Sequence, residues 1–415
     1  MRIAIAGAGI SGLVCAHLLS AAHEVTVFEA GAYLGGHTNT VDVSLDGERQ
    51  SVDTGFIVFN DGYYPNFRKL LDGLGVKSQE TTMSLSVRCE ASGLEYAGAT
   101  VGSLFAQRSN LVKPGFWRML RDVARFQKDG AAALATLDDE TTVASFVQAR
   151  GYSDEFLRYF LVPMGSALWS SPGGDFLRFP VRFIIEFFSN HGMMQILGRP
   201  AWRVVRGGSA RYVEALVAKS PRAGFRLSTP VQAVTRTAAG VTLRHAGGDE
   251  AFDHAIFACH ADQALAMLGA GATAVERELL GHFPYQRNQA VLHTDTSVLP
   301  RRRRAWACWN YHLAPDLERS AAVTYNMNLL QSFRSRHTFC VSLNETRIDP
   351  DKVIQRMTYH HPVFRPGRSA AQARQGELIG PNRSSFCGAY WGFGFHEDGV
   401  RSALAVARHF GKALA

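Results

Sequence analysis

The chain has 415 residues, too many for one ordinary domain, and its 46% hydrophobic and 19% charged residues describe a globular protein able to bury a core. No run of 18 apolar residues occurs, so no transmembrane helix is expected. The net charge of +8 leaves a plain basic surface or an anionic partner, a membrane surface or an acidic substrate; no nucleic-acid motif accompanies it, so nucleic acid is set aside.

The first element, MRIAIAGAGISGLVCAHLL, admits two readings. Arg2, an apolar run and Ser20-Ala21-Ala22 have the outline of a secretory leader. The same residues read as a strand from Arg2 to Ala6, a turn Gly7-Ala8-Gly9-Ile10-Ser11-Gly12, and a helix over roughly residues 11–22. The adjoining segment decides between them. Glu24-Val25-Thr26-Val27-Phe28-Glu29 is a β-branched strand ending in an acid, 22 residues after Gly7. Together these form one βαβ unit for a dinucleotide. Gly7 permits the sharp turn, and Gly9 lets the N–H groups of Ile10 and Ser11 approach a diphosphate. Gly12 lets the helix pack closely, and Glu29, with Ala30 after it, accepts from ribose hydroxyls. A second glycine pair, Gly35-Gly36-His37-Thr38, comes next, then Val52-Asp53-Thr54-Gly55-Phe56-Ile57.

Residues from about 83 to 199 read as largely helical. The stretch 116–128 is a basic amphipathic helix. Arg118, Arg121, Arg125 and Lys128 share a face, while Trp117, Leu120, Ala124 and Phe126 lie elsewhere. Such a helix is either a solvated face or a peripheral contact with anionic lipid. The runs 183–188 and 193–197 (FIIEFF, MMQIL) are either ordinary buried helix or the wall of a tunnel for an apolar chain.

Further on, Ala201 to Ser209 leads into an amphipathic helix with Tyr212, Leu216 and Val217. Pro230–Val234 and Gly240–Leu243 alternate as strands, and Asp253–Cys259 reads as a strand returning to the core sheet. Residues from about 265 to 375 mix strands and loops. They include the cationic run Arg301–Arg304, with Trp306, Trp309 and Tyr311 close behind it, and the pair His360-His361, which reads as surface. The last piece runs from Phe386 through Tyr390-Trp391-Gly392-Phe393-Gly394-Phe395-His396-Glu397-Asp398-Gly399 into a helix. Asp398 is a suitable N-cap, and Val400, Ala403, Leu404 and Ala407 recur on one face. The six cysteines, at 15, 89, 259, 308, 340 and 387, form no CxxC pair, and a reduced, cytoplasmic protein is expected.

Four of these segments, spread over nearly the whole chain, resemble the FAD-dependent amine oxidase superfamily. They are the opening unit, the glycine pair, VDTGFI, and the returning GFHEDG. The wording of GGHTNTVDV, VDTGFIVFN and YWGFGFHEDG is similar to a bacterial branch of NAD/FAD-binding oxidoreductases linked to fatty-acid and phospholipid modification. The resemblance implies an α/β fold: a discontinuous Rossmann-like FAD-binding domain (1–82, 200–264, 376–415) with an interleaved α+β substrate domain (83–199, 265–375).

It also implies FAD contacts. Gly35, Gly36, His37 and Thr38 would serve the diphosphate, Gly55, Phe56 and Ile57 the segment past the flavin ring, and Val231 the adenine end. Gly394, Phe395, His396 and Glu397 would act through their backbones at the flavin. Tyr390, Trp391 and His396 would stand near the flavin as the candidate catalytic side chains. No metal cluster is signalled.

Two departures stand out. Gly31 and His37 occupy positions where the superfamily usually carries arginine, and no lysine matches the one many amine oxidases hold near the flavin. Cys387 lies at the wrong spacing for a covalent tether, so non-covalent FAD is expected.

The function implied is an FAD-dependent oxidase or desaturase-like enzyme acting on an apolar substrate, a fatty-acyl chain or phospholipid. The alternatives are a flavin amine oxidase and a non-catalytic flavin-binding partner of a lipid-modifying enzyme. Cytoplasmic location, with peripheral contact at the inner membrane face, goes with the lipid reading. The sequence names no oligomeric state.

Overall fold

The computed structural model describes residues 1–195, 198, 200–313 and 322–414. Strand β1 (Arg2–Ala6) runs through the glycine turn into helix α1 (Ile10–Leu19) and strand β2 (Glu24–Phe28). Ile3, Ala4 and Ile5 are wholly buried, as a central parallel strand covered on both faces requires. Helix α1 is apolar on nearly every side and buried accordingly. It ends at Leu19, short of Ala22. Ser20 there turns its hydroxyl onto the His17 carbonyl, 3.2 Å away, offering the backbone an alternative to another helical turn.

β1 and β2 lie inside a five-stranded parallel sheet in the order Ala223–Arg226, β2, β1, His254–Phe257, Ser384–Phe386. Ile5 faces Val27 on one side and Ile256 on the other. The strand expected over Pro230–Val234 begins only at Ala233. It joins a separate antiparallel sheet with Val241–His245 and Gly248–Phe252. Pro230 has no N–H to give a ladder.

A second large sheet has seven strands. Its order is Val353–Pro362, Tyr285–His293, Cys340–Leu343, Ala322–Asn326, Trp309–Leu313, Leu85–Cys89, Leu94–Ala97. The last two strands fall in the stretch that reads as largely helical, because four or five alternating residues are too few to stand out against the long helices after them. Those helices, chiefly Pro114–Ala133, Val162–Trp169 and Val181–Asn190, enclose an aromatic core of Phe126, Phe156, Trp169, Phe179, Phe183 and Phe187.

The two large sheets alternate along the chain, so neither is built from one continuous segment. The final helix, His396–His409, returns to pack on α1 through Val400, Ala403 and Ala407. Among the described residues, no helix is long and apolar enough to cross a membrane.

Candidate functional site

The turn after β1 is shaped by close backbone approaches. Gly7 takes φ +105°, a conformation glycine tolerates, and a Cβ at Gly12 would lie 2.0 Å from the Gly7 carbonyl oxygen. At Gly9, by contrast, a Cβ would meet nothing within 4 Å: the chain leaves open space in front of α1. The start of α1 has no side-chain cap and no acid in its first turn. Its first N–H groups therefore lack intrahelical acceptors and face that space with the positive end of the helix.

The second glycine pair closes the other wall. Gly35 N–H donates to the Ala8 carbonyl at 2.8 Å, and a Cβ on Gly36 would stand 3.2 Å from the Gly9 Cα. Beyond it, the His37 carbonyl accepts from Phe56 N–H at 2.7 Å, and a Cβ on Gly55 would lie 2.1 Å from that carbonyl oxygen. Gly35–Thr38 and Gly55–Phe56 are thereby locked side by side, and Ile57, buried, continues the strip.

Glu29, half-buried at the end of β2, accepts from the N–H groups of Ala8 (2.8 Å) and Gly31 (2.7 Å). A carboxylate has about four acceptor positions, so capacity remains for a ribose. Exposed Ala30 comes directly after it. Thr229 N–H donates to the Glu29 carbonyl at 2.8 Å, which brings the Val231 loop beside the same end of the sheet.

The chemistry present fits a dinucleotide. It offers an uncapped helix start, a cradle without side chains, and the buried His37 Nε2, which has no hydrogen-bond partner among the described residues. Burial lowers His37 to about 4, and with it His260 and His361, each to about 3. These rings are neutral at neutral pH.

His360-His361 is thus not a surface pair. His361 lies 5.3 Å from the His37 ring and His360 6.0 Å from the His260 ring, because the strand Val353–Pro362 packs across the cradle. Among the described residues, no group of three His, Cys, Asp or Glu is arranged to hold a metal.

The C-terminal segment approaches from the opposite side. Gly394 takes φ +91°, and the helix starts at His396, with Phe395 as its N-cap. Asp398 is therefore not the N-cap. It stands one turn inside the helix and reaches back to accept from Phe395 N–H at 3.0 Å. Glu397 turns its carboxylate away from this helix start. It accepts from Asn66 N–H (3.1 Å) and Phe67 N–H (2.9 Å), so it caps a neighbouring helix, α2 (Pro65–Leu74).

His396 is fully enclosed. Its Nε2 meets Thr38 Oγ1 at 2.9 Å and Tyr212 Oη at 3.0 Å, and Thr38 and Tyr212 also bond to each other. Its ring stacks on Phe56 at 3.4 Å. Burial holds the imidazole well below its ordinary range. This hub ties the glycine loop, the Gly55–Ile57 strip and the C-terminal helix together. Tyr390 and Trp391 are not brought to it; they pack on Phe283, at 5.0 and 5.2 Å, in a different core cluster.

Several contributors have roles that no sequence pattern signals. Asp53 is buried and raised to about 6, chiefly by desolvation. It accepts from Ser209 N–H and Oγ, both at 2.8 Å, and so fixes the start of the helix Ala210–Ala218. Arg368 places its guanidinium 3.9 Å from the Phe183 ring centre and 4.3 Å from that of Phe364, and donates to the Gly392 carbonyl at 2.9 Å. Gln372 donates to the carbonyls of Tyr390 and Gly392. These two residues brace the segment that carries Phe393 and Phe395. Burial brings Arg368 down to about 9, which still leaves it cationic at neutral pH.

The run 183–188 lies inside the aromatic core: Phe183, Ile184, Ile185, Phe187 and Phe188 are all buried. That is the buried-helix reading. Ile196 and Leu197, from the second apolar run, lie outside the described residues.

Comparison with known proteins matches residues 10–296 to the family described as flavin containing amine oxidoreductase. A 78-residue stretch is 37% identical to a zeta-carotene desaturase of Synechocystis sp.; it covers 19% of this chain and only 15% of that protein's length. Among solved structures, a CLA-producing fatty acid isomerase from P. acnes superposes with a TM-score of 0.69 at 16% identity, covering 99% of this chain and 98% of that one. Cyclohexylamine oxidase from Brevibacterium oxydans superposes at 0.65 with 16% identity, covering 99% of each chain.

Proposed function

The chain belongs to the flavin containing amine oxidoreductases and is an FAD-dependent oxidoreductase; on that premise we propose that its substrate is lipophilic, a fatty-acyl chain or its phospholipid, dehydrogenated in the manner of an oxidase or desaturase. One observation carries the choice. Where the lobe's aromatic core meets the C-terminal segment, Phe183 stacks with Phe393 at 5.1 Å and Phe187 lies 4.8 Å from Phe395. The aromatic faces there that would hold a substrate ammonium already hold Arg368, and a second cation beside it is repelled. An apolar chain meets no such penalty. The relatives named for a carotene and a fatty acid support the same direction.

In this reading the start of α1 and the Gly9–Gly36 wall would hold the diphosphate, with the unpartnered His37 Nε2 beside it. Glu29 takes the ribose and Val231 the adenine end. When bound, FAD would supply a hydride acceptor: dehydrogenation breaks two C–H bonds, one hydrogen leaving as hydride to the flavin and the other as a proton to solvent, and dioxygen or another acceptor would take the electrons onward. The helix beginning at His396 would offer its first N–H groups to the charge that flavin reduction creates. Its two acids face elsewhere: Glu397 accepts from Phe67 N–H of α2, and Asp398 from Phe395 N–H and Tyr63 Oη. His396 positions that helix rather than moving protons. Tyr390 and Trp391 shape the segment around it.

The cofactor is held without a covalent bond. Cys387 Sγ is buried 3.9 Å from Cys15 Sγ, and its thiol is pushed up by that contact and by burial. The protein works in the cytoplasm, at the inner membrane face.

The test is anaerobic titration of the yellow holoenzyme with unsaturated or methylated phospholipid in detergent micelles, beside primary amines. Bleaching of the oxidised-flavin band by lipid alone is expected. Bleaching by amines alone would make it an amine oxidase, and a flavin that no donor reduces would make it a binding partner.

A further inference from the structure

The surface around Val101–Arg121 and Arg301–Arg304 is built unlike the rest of the molecule. Four large apolar side chains stand out from it: Val101 (75% exposed), Val112 (81%), Leu111 (49%) and Trp117 (49%). They are close in sequence and held together in space. The Trp117 indole N–H donates to the Leu111 carbonyl at 2.9 Å, and its ring lies 5.7 Å from Phe105.

The same stretch holds no acid from Tyr96 through Arg121, but carries Arg108, Lys113, Arg118 and Arg121. The four arginines at 301–304 are fixed beside it by one residue, Glu95. Its N–H donates to the Gln107 side chain, and its carbonyl accepts from Asn110. Its buried carboxylate accepts from Arg301 N–H at 2.9 Å and from the Arg302 guanidinium at 3.0 Å. The short helix Val101–Leu104 packs directly on the turn Arg303–Ala305.

Some of these cations are spent. Arg118 pairs with Glu155, Arg121 with Asp122, and Arg302 with Glu95. Arg108, Lys113, Arg301, Arg303 and Arg304 have no acidic partner among the described residues. Arg303 rests over the Trp306 ring instead.

We infer that this corner is a docking surface for an anionic lipid bilayer, with Val112 and Trp117 dipping among the acyl chains and the unpaired cations meeting the headgroups. The combination of protruding apolar tips and an uncompensated cationic collar selects this partner. An acidic protein would need the charge but not the exposed Val112, and an apolar partner would need the tips but not the cations. The basic face of the helix Pro114–Ala133 is not the docking element. Arg125 is turned onto the Tyr152 ring at 3.9 Å, and Phe126 is buried. Only the helix's first turn takes part.

The inference deepens the lipophilic reading, since a bilayer is where such a substrate is found, yet the two fail separately. FAD-loaded protein is sedimented with vesicles of phosphatidylcholine containing about a third phosphatidylglycerol. Binding is expected with these vesicles and not with pure phosphatidylcholine, falling about tenfold or more when salt is raised from about 0.1 to about 0.5 M. The exposed substitutions Val112→Glu and Trp117→Glu should each weaken binding about tenfold or more while flavin absorbance and micellar substrate reduction stay intact. Leu329→Glu, at an apolar residue 41% exposed elsewhere, should leave binding unchanged. Absence of binding to the anionic vesicles, or equal weakening by Leu329→Glu, overturns the surface. Loss of lipid-driven bleaching in micelles overturns only the substrate reading.

Discussion

The parallel sheet with its glycine loops and the aromatic lobe perform different kinds of work with different parts of the residue. Around Gly7, Gly9, Gly12, Gly36 and Gly55 the working groups are backbone N–H and carbonyl, and what matters is which side chains are missing. Around Phe183, Phe187, Phe364 and Arg368 the working groups are side chains, and their role depends on which neighbours the fold supplies. The first kind of site tolerates almost no added volume. The second tolerates exchange at a graded cost.

The largest effect should come from breaking the first region. Gly12→Val sets a branched side chain where even a Cβ would lie 2.0 Å from a carbonyl oxygen. The variant is expected as colourless or insoluble protein, read as flavin absorbance per mole of chain. In the lobe, Phe187→Ala should cost about 3–5 kcal/mol in chemical denaturation through transfer and cavity terms, yet leave purified protein yellow. A Phe187→Ala protein unable to hold FAD would merge the two regions functionally.

At the seam between them, Glu397→Ala leaves two N–H groups of α2 without their acceptor, and a loss of about 1–3 kcal/mol is expected. Flavin affinity should change less than it does for Gly12→Val.

Acid gives the most distributed effect. His191, His254 and His293 are each lowered by burial from 6.5 to about 4. His293 accepts from Asp295 N–H at Nδ1 and meets Ser342 at Nε2, a pattern only the neutral ring satisfies with its single proton. As pH falls below 6.5 the unfolded chain takes up protons that these folded sites refuse, so stability is lost between about 6.5 and 4. Asp53, raised to about 6, has the opposite sign: its folded form takes a proton earlier than the unfolded chain, which adds stability as pH falls. With these three histidines against it, and His37, His260, His361 and His396 lowered in the same sense, the net change is a loss. Melting temperatures at pH 7.5, 6 and 5 should decline, and His293→Gln should make the decline shallower.

Legibility from sequence divides along the same line. The cradle was readable because a backbone site needs glycine at fixed spacing, and nothing substitutes for it at Gly7 or Gly12. The C-terminal helix was readable from the recurrence of Val400, Ala403, Leu404 and Ala407, all buried as expected. The roles within that segment were not. Asp398 looks like the N-cap of its own helix and Glu397 like a backbone contributor, and only the packing of α2 shows that the Glu397 carboxylate serves the neighbour. Arg368 sits 24 residues before the carbonyl it braces, and Asp53 bonds a helix start 156 residues away. No local pattern encodes such partners. The histidines at 360 and 361 were misplaced for the same reason, since a strand's inward face is set by the sheet it joins and by what that sheet covers.

The parallel sheet also has a consequence for how the protein comes to exist. Its outer strand Ser384–Phe386 and the helix His396–His409 follow the glycine cradle by most of the chain. At about 5–20 residues per second, the cradle waits on the order of 20–70 s for the segment that closes it. During that time α1 lacks the helix that covers it, and in the last part of it the strand His254–Phe257 has an unpaired edge. A closed cradle therefore forms only once that C-terminal segment has been made.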